Sequence, residues 1–371
     1  MKKAAHICVD EKFIDIAIDM FSQISEFASS FYCLHKNQAP IQYIKQADKL
    51  IVVRSERELI HLINADCDIV FLHGLHLKPY YISFFAPKVK IVWLSWGYDL
   101  YSDNSVCFTQ RMPLHINMYA PLTRKYVYKN KMHVVKKIIK KLFLTYFYNR
   151  MLRRVNYMST VLPVEYDLIK LFNKNIKIKY FPFCYLSKDD VMGQVSGSNI
   201  LLGNSATIAN NHIDVIKQLE DIELKDRTVV LPLSYGSLSY RDFLLKNYLL
   251  SNSEVNFQPI TDFIQFRAYC DLLNSCGYAI FGHKRQQAVG NVNLMLRKGA
   301  KVFLYQDSIV YQQLLRDGYK VFTIEHDLNE KELSSLLPES EQKRNQQIFE
   351  KKYNYNNYIV ELNHACKVLS V

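Results

Sequence analysis

Short, uniformly apolar runs alternate with amphipathic stretches along most of the chain. KAAHICV at 3–9, a run at 50–53, DIVFL at 68–72 and VKIVWLS at 89–95 read as strands, with a helix near 11–28 after the first. Continuous apolar runs, rather than strict alternation, mark parallel strands covered by helices on both faces. A long helical region covers about 121–154. A strand near 156–161, a helix near 164–173 and an extended piece, KIKYFPFC at 177–184, follow. The polar run SKDDVMGQVSGS at 187–198 lacks apolar periodicity and reads as an interdomain linker. A second series then begins: NILLGN (199–204), TVVLPLSYG (228–236), a short strand at 254–257, YAIFGH (278–283) and KVFLYQ (301–306), with a polar helical tail from about 340. Strand and helix patterns in alternation predict an α/β protein with parallel sheets. The expected division is 1–190 and 191–350, two Rossmann-like domains facing across a cleft, with the last helix, 351–371, free to pack back on the first.

The length of 371 residues suits two domains of this size. Eight scattered cysteines form no C-x-x-C pair or Cys/His ladder, which fits a reducing cytoplasm and indicates neither zinc nor a disulfide framework. No signal peptide and no stretch long enough to span a bilayer is expected. Charge changes the picture more. Between Asp103 and Glu165 there is no acidic residue, while Arg111, Arg124, Lys125, Lys129, Lys131, Lys136, Lys137, Lys140, Lys141, Arg150, Arg153 and Arg154 match the whole net excess of +12. Over 134–147, lysines 136, 137, 140 and 141 fall on one helical side and apolar residues mostly on the other. That is the pattern of a helix lying in an anionic bilayer interface.

In open parallel sheets, ligands bind beyond the carboxyl ends of the strands. Those ends carry Asp10, His73-Gly74, Trp96-Gly97-Tyr98-Asp99, Gly203-Asn204-Ser205, Ser234-Tyr235-Gly236 and Gly282-His283. The sharpest segment is FGHKRQQAVGNVNLMLRKG (281–299). His283, Lys284 and Arg285 precede a helix expected to begin near Gln286, with Gln287, Gly290 and Asn291 where backbone would approach a ligand. A helix N-terminus beside two cations suits a pyrophosphate. In LLGNSATIANNH (201–212), Gly203 to Ser205 form a strand-to-helix turn, and Asn210 or Asn211 is the expected N-cap. In WLSWGYDLY (93–101), Asp99 is expected to face the cleft as a general base for an acceptor hydroxyl, with His73 as a second catalytic candidate and Trp96 on the acceptor. Asp66-Cys67-Asp68 matches a D-x-D pattern but precedes its strand, away from the cleft, so no metal is assigned to it. Neither G-x-G-x-x-G nor a Walker loop is present.

Together GNSAT..NNH, PLSYG, FGH.RQQ..GN and the upstream W.WG.DLY resemble glycosyltransferase family 56, the family of TDP-N-acetylfucosamine:lipid II N-acetylfucosaminyltransferases. The resemblance runs in order from about 70 to 305. It implies a GT-B fold and transfer of a 4-acetamido-4,6-dideoxyhexose from a nucleotide diphosphate to a polyprenyl-diphosphate-linked saccharide, at the cytoplasmic face of a bacterial inner membrane. Gln286 and Leu294 stand where related GT-B enzymes often carry a pair of acids, so the ribose must be held otherwise. The expected partners are the nucleotide sugar, the lipid-linked acceptor and an anionic membrane surface, without nucleic acid, metal or other cofactor. Two rivals stay open: a GT-B-like polyol-phosphate transferase, and a non-enzymatic basic module binding membrane or nucleic acid.

Overall fold

The computed structural model describes residues 1–370 except 37–38, 104–113, 130–145, 173–175, 187–192, 251 and 253, and only the backbone at 102–103 and 114–116. Seven strands form the first sheet: β1 (Lys2–Cys8), β2 (Phe27–Leu34), β3 (Leu50–Val53), β4 (Ile69–His73), β5 (Lys90–Leu94), β8 (Tyr157–Ser159) and β9 (Lys179–Tyr180). Between β5 and β8, the short strands β6 (Tyr101–Asp103) and β7 (Leu114–Ile116) pair with each other. The order across the sheet is β3-β2-β1-β4-β5-β8-β9, and every pairing is parallel. The second sheet holds β10 (Ile200–Leu202), β11 (Thr228–Pro232), β12 (Asn256–Ile260), β13 (Tyr278–Phe281), β14 (Lys301–Leu304) and β15 (Phe322–Thr323) in the order β12-β11-β10-β13-β14-β15, again parallel throughout. In both sheets the chain winds outward one way and then crosses to the other side. Each sheet thus has a switch point, between β1 and β4 and between β10 and β13, where diverging loops leave a crevice.

The apolar runs of the sequence form the central strands because the parallel interior gives them no wet face, whereas the edge strand β3 leaves Ile51 and Val52 exposed. All five residues of β4 and all four of β13 and β14 are buried. Helices bring matching stripes, such as Ile14, Ala17, Ile18 and Phe21 on the first sheet and Ile213, Ile216 and Leu219 on the second. β2 departs from expectation. The sequence reads as helix to residue 28, yet Ile14–Phe21 ends early and FASSFYCL runs as a strand beside β1.

Two segments cross between the bodies. The final helix, Tyr355–Ser370, buries Leu362, Cys366 and Leu369 against the first sheet, and Lys90 Nζ donates to the Leu369 carbonyl at 3.0 Å. Of the region expected as one basic helix over 121–154, the described residues are its two ends, 121–129 and 146–154, both helical. Helix Pro121–Lys129 leaves the first domain and lies on helix His212–Glu220 of the second, where the Asp214 carboxylate accepts the free N–H groups of Leu122 (2.7 Å) and Thr123 (2.8 Å). Tyr126 packs against Tyr240 and Phe243 there. Tyr148, Met151 and Leu152 return to the core that lines the first sheet. Lys136, Lys137, Lys140 and Lys141 lie outside the described residues.

The chain crossing is anchored by Asn211, which is fully buried. Its Oδ1 accepts Ala120 N–H at 2.9 Å, and its Nδ2 donates to the carbonyls of Met118 (3.1 Å) and Gly282 (2.6 Å). Asn211→Ala strands these buried groups. It should destabilise the protein by about 2–4 kcal/mol, since each lost buried partner costs about 1–3 kcal/mol. Urea melts followed by circular dichroism check this, and an unshifted midpoint would mean that Asn211 does not anchor the crossing.

Candidate active site

The second switch point gathers most of the sequence-assigned donor residues. The turn after β10 needs Gly203 at φ +69°, because a β-carbon there would lie 2.8 Å from His212 Nε2. Asn204 Nδ2 donates to the Tyr235 hydroxyl (2.7 Å), and Gln287 Nε2 donates to Asn204 Oδ1 (3.2 Å). Ser205 is held by its own loop through Thr207 Oγ1 (2.9 Å) and by Asn210, whose Nδ2 donates to the Ser205 carbonyl (2.8 Å). The Ser234–Gly236 turn after β11 is joined to it, with Ala206 N–H donating to the Tyr235 carbonyl at 2.8 Å and Ser237 N–H to the Ala206 carbonyl at 3.0 Å. Loops from β10, β11 and β13 therefore form one continuous wall.

That wall carries an uncommon density of unsatisfied chemistry. His212 and His283 are fully buried, and among the described residues neither ring has a hydrogen-bond partner on either nitrogen. Burial pushes both imidazoles down to about 3, so both are neutral at pH 7. Asn210 Oδ1, Gln286 Oε1 and Gln287 Oε1 are also buried without a partner. Buried polar atoms ordinarily find partners, so a cluster without them is a candidate binding site.

Three donor-side expectations need correction. The helix after β13 begins at Val289 rather than near Gln286, because Gln286 and Gln287 project to neighbouring loops and Ala288 turns through φ +55°. Gly290 then opens on empty space, with nothing within 4 Å of the position a β-carbon would take, whereas Asn291 Oδ1 is taken by the Tyr269 hydroxyl at 3.0 Å. Lys284 points away from the wall, with Nζ 2.8 Å from Asp307 and lying over the Tyr305 ring. Asn211 stands at the start of its helix, but its side chain spans to Gly282 and Ala120 instead of capping.

The first-domain residues depart further. Asp99 is 1% exposed, and its carboxylate accepts N–H groups from Trp96 (2.8 Å), Leu75 (3.1 Å) and the Trp93 indole (3.2 Å). Burial raises the carboxyl to about 6 against the pull of those donors. Asp99 therefore clamps the 96–100 turn to the 75 loop and does not face the cleft as expected. His73 is fully buried in a relay. Its Nε2 lies 3.0 Å from His6 Nδ1 and its Nδ1 lies 2.8 Å from the Tyr185 hydroxyl, which also accepts the Trp96 indole N–H at 3.0 Å. Burial takes His73 down to about 3. Through the Tyr185 hydroxyl it is linked to the Trp96 indole. Asp66 and Asp68 face Lys3, as their position at the far end of the sheet implies.

The sequence reading missed a junction between the domains. A side chain at Gly97 would collide with the Gln286 carboxamide, so the segment after β5 touches the loop at the second switch point. Beside them Glu165, fully buried, accepts the Tyr101 hydroxyl and Leu162 N–H (2.8 Å). Val164 N–H donates across the interface to Gln313 Oε1 at 2.9 Å. Burial raises the Glu165 carboxyl to about 7, opposed by Tyr101, the Leu162 N–H and the nearby Arg285 charge. Arg285 itself donates to the Gln286 carbonyl at 3.2 Å, within this junction. An acid two residues after Pro163 reads in sequence as an ordinary helix-start charge, so only the folded structure identifies it.

The family model described as 4-alpha-L-fucosyltransferase glycosyl transferase group 56 matches residues 140–365. Among solved structures, sucrose-phosphate synthase from Thermosynechococcus elongatus superposes with TM-score 0.63 at 8% identity over 100% of this chain and 99% of that one. AviGT4, a glycosyltransferase involved in avilamycin A biosynthesis, gives 0.52 at 12% identity over 100% and 98%. An Anabaena protein, HepE in complex with UDP, gives 0.52 at 8% identity over 99% and 94%. At these identities the likeness establishes the fold, the two-domain GT-B arrangement.

Glu165 generates a pH prediction. The folded protein holds this proton to about pH 7, the unfolded chain only to about 4.3. Stability should therefore fall as pH rises through that window, with Asp99 acting in the same direction. Glu165→Gln should shrink the loss of Tm between pH 5 and pH 8. An equal loss in wild type and variant would remove Glu165 from the titration.

Proposed function

The chain belongs to glycosyl transferase group 56, the 4-alpha-L-fucosyltransferase group, and from that premise we propose that it moves a 4-acetamido-4,6-dideoxyhexose of the N-acetylfucosamine kind from a TDP-linked donor to a polyprenyl-diphosphate-linked saccharide. The observation that carries the donor side is the cluster of buried, unpartnered polar atoms on His212, His283, Asn210 and Gln287 at the second switch point. A nucleoside diphosphate supplies the acceptors and donors that these groups lack. Its phosphates would lie between the Gly203–Ser205 turn, the Arg285 guanidinium and the open helix start at Gly290, where free N–H groups and the helix dipole favour anions.

In the transfer, the bond from the sugar's anomeric carbon to the diphosphate breaks and negative charge collects on the leaving group. Arg285 and the helix N–H groups stabilise that charge from fixed positions, the role that a metal ion fills in other transferases. The reading is therefore metal-independent. The clamp at Asp99 and the relay through His73 hold Trp96 steady on the acceptor side, and Tyr235, tied to Asn204, would flank the donor.

A polyprenyl acceptor stays in its bilayer, so the enzyme must work at the surface. No helix among the described residues is long and apolar enough to cross a membrane. The acid-free basic interval around Lys136, Lys137, Lys140 and Lys141 supports peripheral attachment to the cytoplasmic face of a bacterial inner membrane. Each cation near an anionic surface contributes about 1 kcal/mol.

Two tests follow from this reading. Calorimetry with TDP in excess EDTA should show binding, and Arg285→Ala should weaken it by about 1.5–3 kcal/mol, the range for a charged hydrogen bond. Binding that needs added magnesium would end the metal-independent reading, and unchanged affinity in the variant would move the diphosphate elsewhere. The protein should also sediment with anionic but not neutral liposomes, less so in high salt or with lysines 136, 137, 140 and 141 replaced by Glu. Equal behaviour with both liposome types would refute the membrane role.

A further inference from the structure

The transfer reading leaves the acceptor side without a base, because the Asp99 carboxylate is occupied by three N–H donors. The first sheet has its own switch point, between β1 and β4. The loops there are Asp10–Phe13 and Gly74–His76, flanked by 96–98 after β5. Gly74 has φ +76°, and a β-carbon on it would lie 2.9 Å from His76 Nε2, 3.0 Å from the Tyr98 hydroxyl and 3.2 Å from Trp96 Cδ2. Three side chains thus converge over bare backbone. The Trp96 ring meets Phe13, His76 and Tyr98 edge-on, with centroids 6.2, 5.1 and 6.2 Å away. Phe13 and Tyr98 nonetheless remain 41% and 50% exposed. The Tyr98 hydroxyl lies 3.1 Å from His76 Nδ1, which gives the rim polar groups. This is an open aromatic cup with hydrogen-bonding edges.

Two neighbouring acids at the end of β1 have different circumstances. Asp10 is consumed by the loop opposite, accepting N–H groups from Gln42 (2.6 Å), Tyr43 (2.9 Å) and Ile44 (3.1 Å). Glu11 is half-buried. Its carboxylate makes no hydrogen bond or ion pair among the described residues. Its charge is close enough to help raise the Tyr98 phenol, after burial and Asp99. Burial lifts the Glu11 carboxyl above its ordinary range, with Lys12 opposing and Asp10 adding to the rise.

We propose that the cup of Phe13, His76, Trp96 and Tyr98 over Gly74 binds the acceptor sugar, and that Glu11 is the catalytic base. A pyranose offers apolar C–H faces to aromatic rings and hydroxyls to a polar rim, which is the chemistry this cup presents. The cup adjoins the donor wall through the contact of Gly97 with Gln286. The acceptor hydroxyl oxygen bonds to the donor's anomeric carbon as the bond from that carbon to the diphosphate oxygen breaks. The bonding pair leaves with the nucleoside diphosphate, and the hydroxyl proton passes to the Glu11 carboxylate. No further reactant is needed. The inference rests on the glycosyl-transfer reading and deepens its acceptor side.

The test uses the full-length protein, a TDP-linked 4-acetamido-4,6-dideoxyhexose and a detergent-solubilised polyprenyl-diphosphate-linked N-acetylhexosamine as acceptor probe. Glu11→Gln should lower kcat by about a hundred- to ten-thousand-fold, the range for a lost general base, while TDP affinity is unchanged. Glu11→Asp should recover part of the rate. Tyr98→Ala and Phe13→Ala should raise the acceptor KM by about three- to ten-fold, as expected of single aromatic contacts, with kcat little changed. Trp93 is fully buried, so acceptor-induced change in tryptophan fluorescence reports Trp96. That change should persist in Glu11→Gln, which shows the variant folded and loaded. A Glu11→Gln enzyme with wild-type kcat would overturn the base assignment. Unchanged acceptor KM in both aromatic variants would overturn the cup. Wild-type protein that transfers no sugar would instead strike the glycosyl-transfer reading, and this inference with it.

Discussion

The Asn211 carboxamide has no exposure to water, so every hydrogen bond it makes must come from the protein. It spends them on Ala120 and Met118, where the chain crosses from one body to the other, and on the Gly282 carbonyl at the end of β13. The left-handed turn at Asn211 starts helix His212–Glu220, whose first side chain sits beneath the Gly203 turn. A single amide therefore sets the crossing segment, both walls of the second switch point and the placement of His212. The unpartnered imidazoles survive in a buried setting because this frame holds them apart from other partners. Their cost is met elsewhere in the fold.

The two sheets have equivalent winding and therefore equivalent crevices, yet the sequence equips them differently. The second crevice carries buried donors and acceptors with nothing to bind, beside an arginine. The first carries exposed aromatic rings and, in Glu11, a carboxylate without a partner among the described residues. Between them lie Gly97 against Gln286, Glu165 with Tyr101, and Val164 on Gln313. The apolar core continues through the same region, with Trp93, Leu100 and Tyr101 in one cluster with Phe281 and Leu294. The contact sets the two crevices side by side, with Glu165 buried in the junction between them.

Where one physical requirement fixes a segment, the chain is legible from sequence. β4, β13 and β14 are buried on both faces, so their apolar runs stand out, and their ends carry the glycines and polar residues that form the crevices. The two-sheet fold and the loops gathered at the second switch point follow from that pattern. β2 was hidden because Ser29 and Ser30 interrupt its apolar run and no glycine or proline separates it from the preceding helix. Side-chain direction was hidden for a different reason. Lys284 and Arg285 are adjacent cations, but only the fold brings Asp307 to the first and the domain junction to the second. Likewise Asp10, Glu11 and Asp99 are all acids at strand ends. Which of them is consumed by backbone N–H groups depends on loops distant in sequence.

The central claim is that the second switch point holds the leaving diphosphate. A crystal structure of the protein with TDP bound tests it most directly. The account predicts phosphate oxygens between the Gly203–Ser205 turn and the Arg285–Gly290 segment, with His212, His283 or Gln287 acquiring partners directly or through ordered water. A nucleotide bound over Gly74 in the first domain, with those groups still unpartnered, would contradict it.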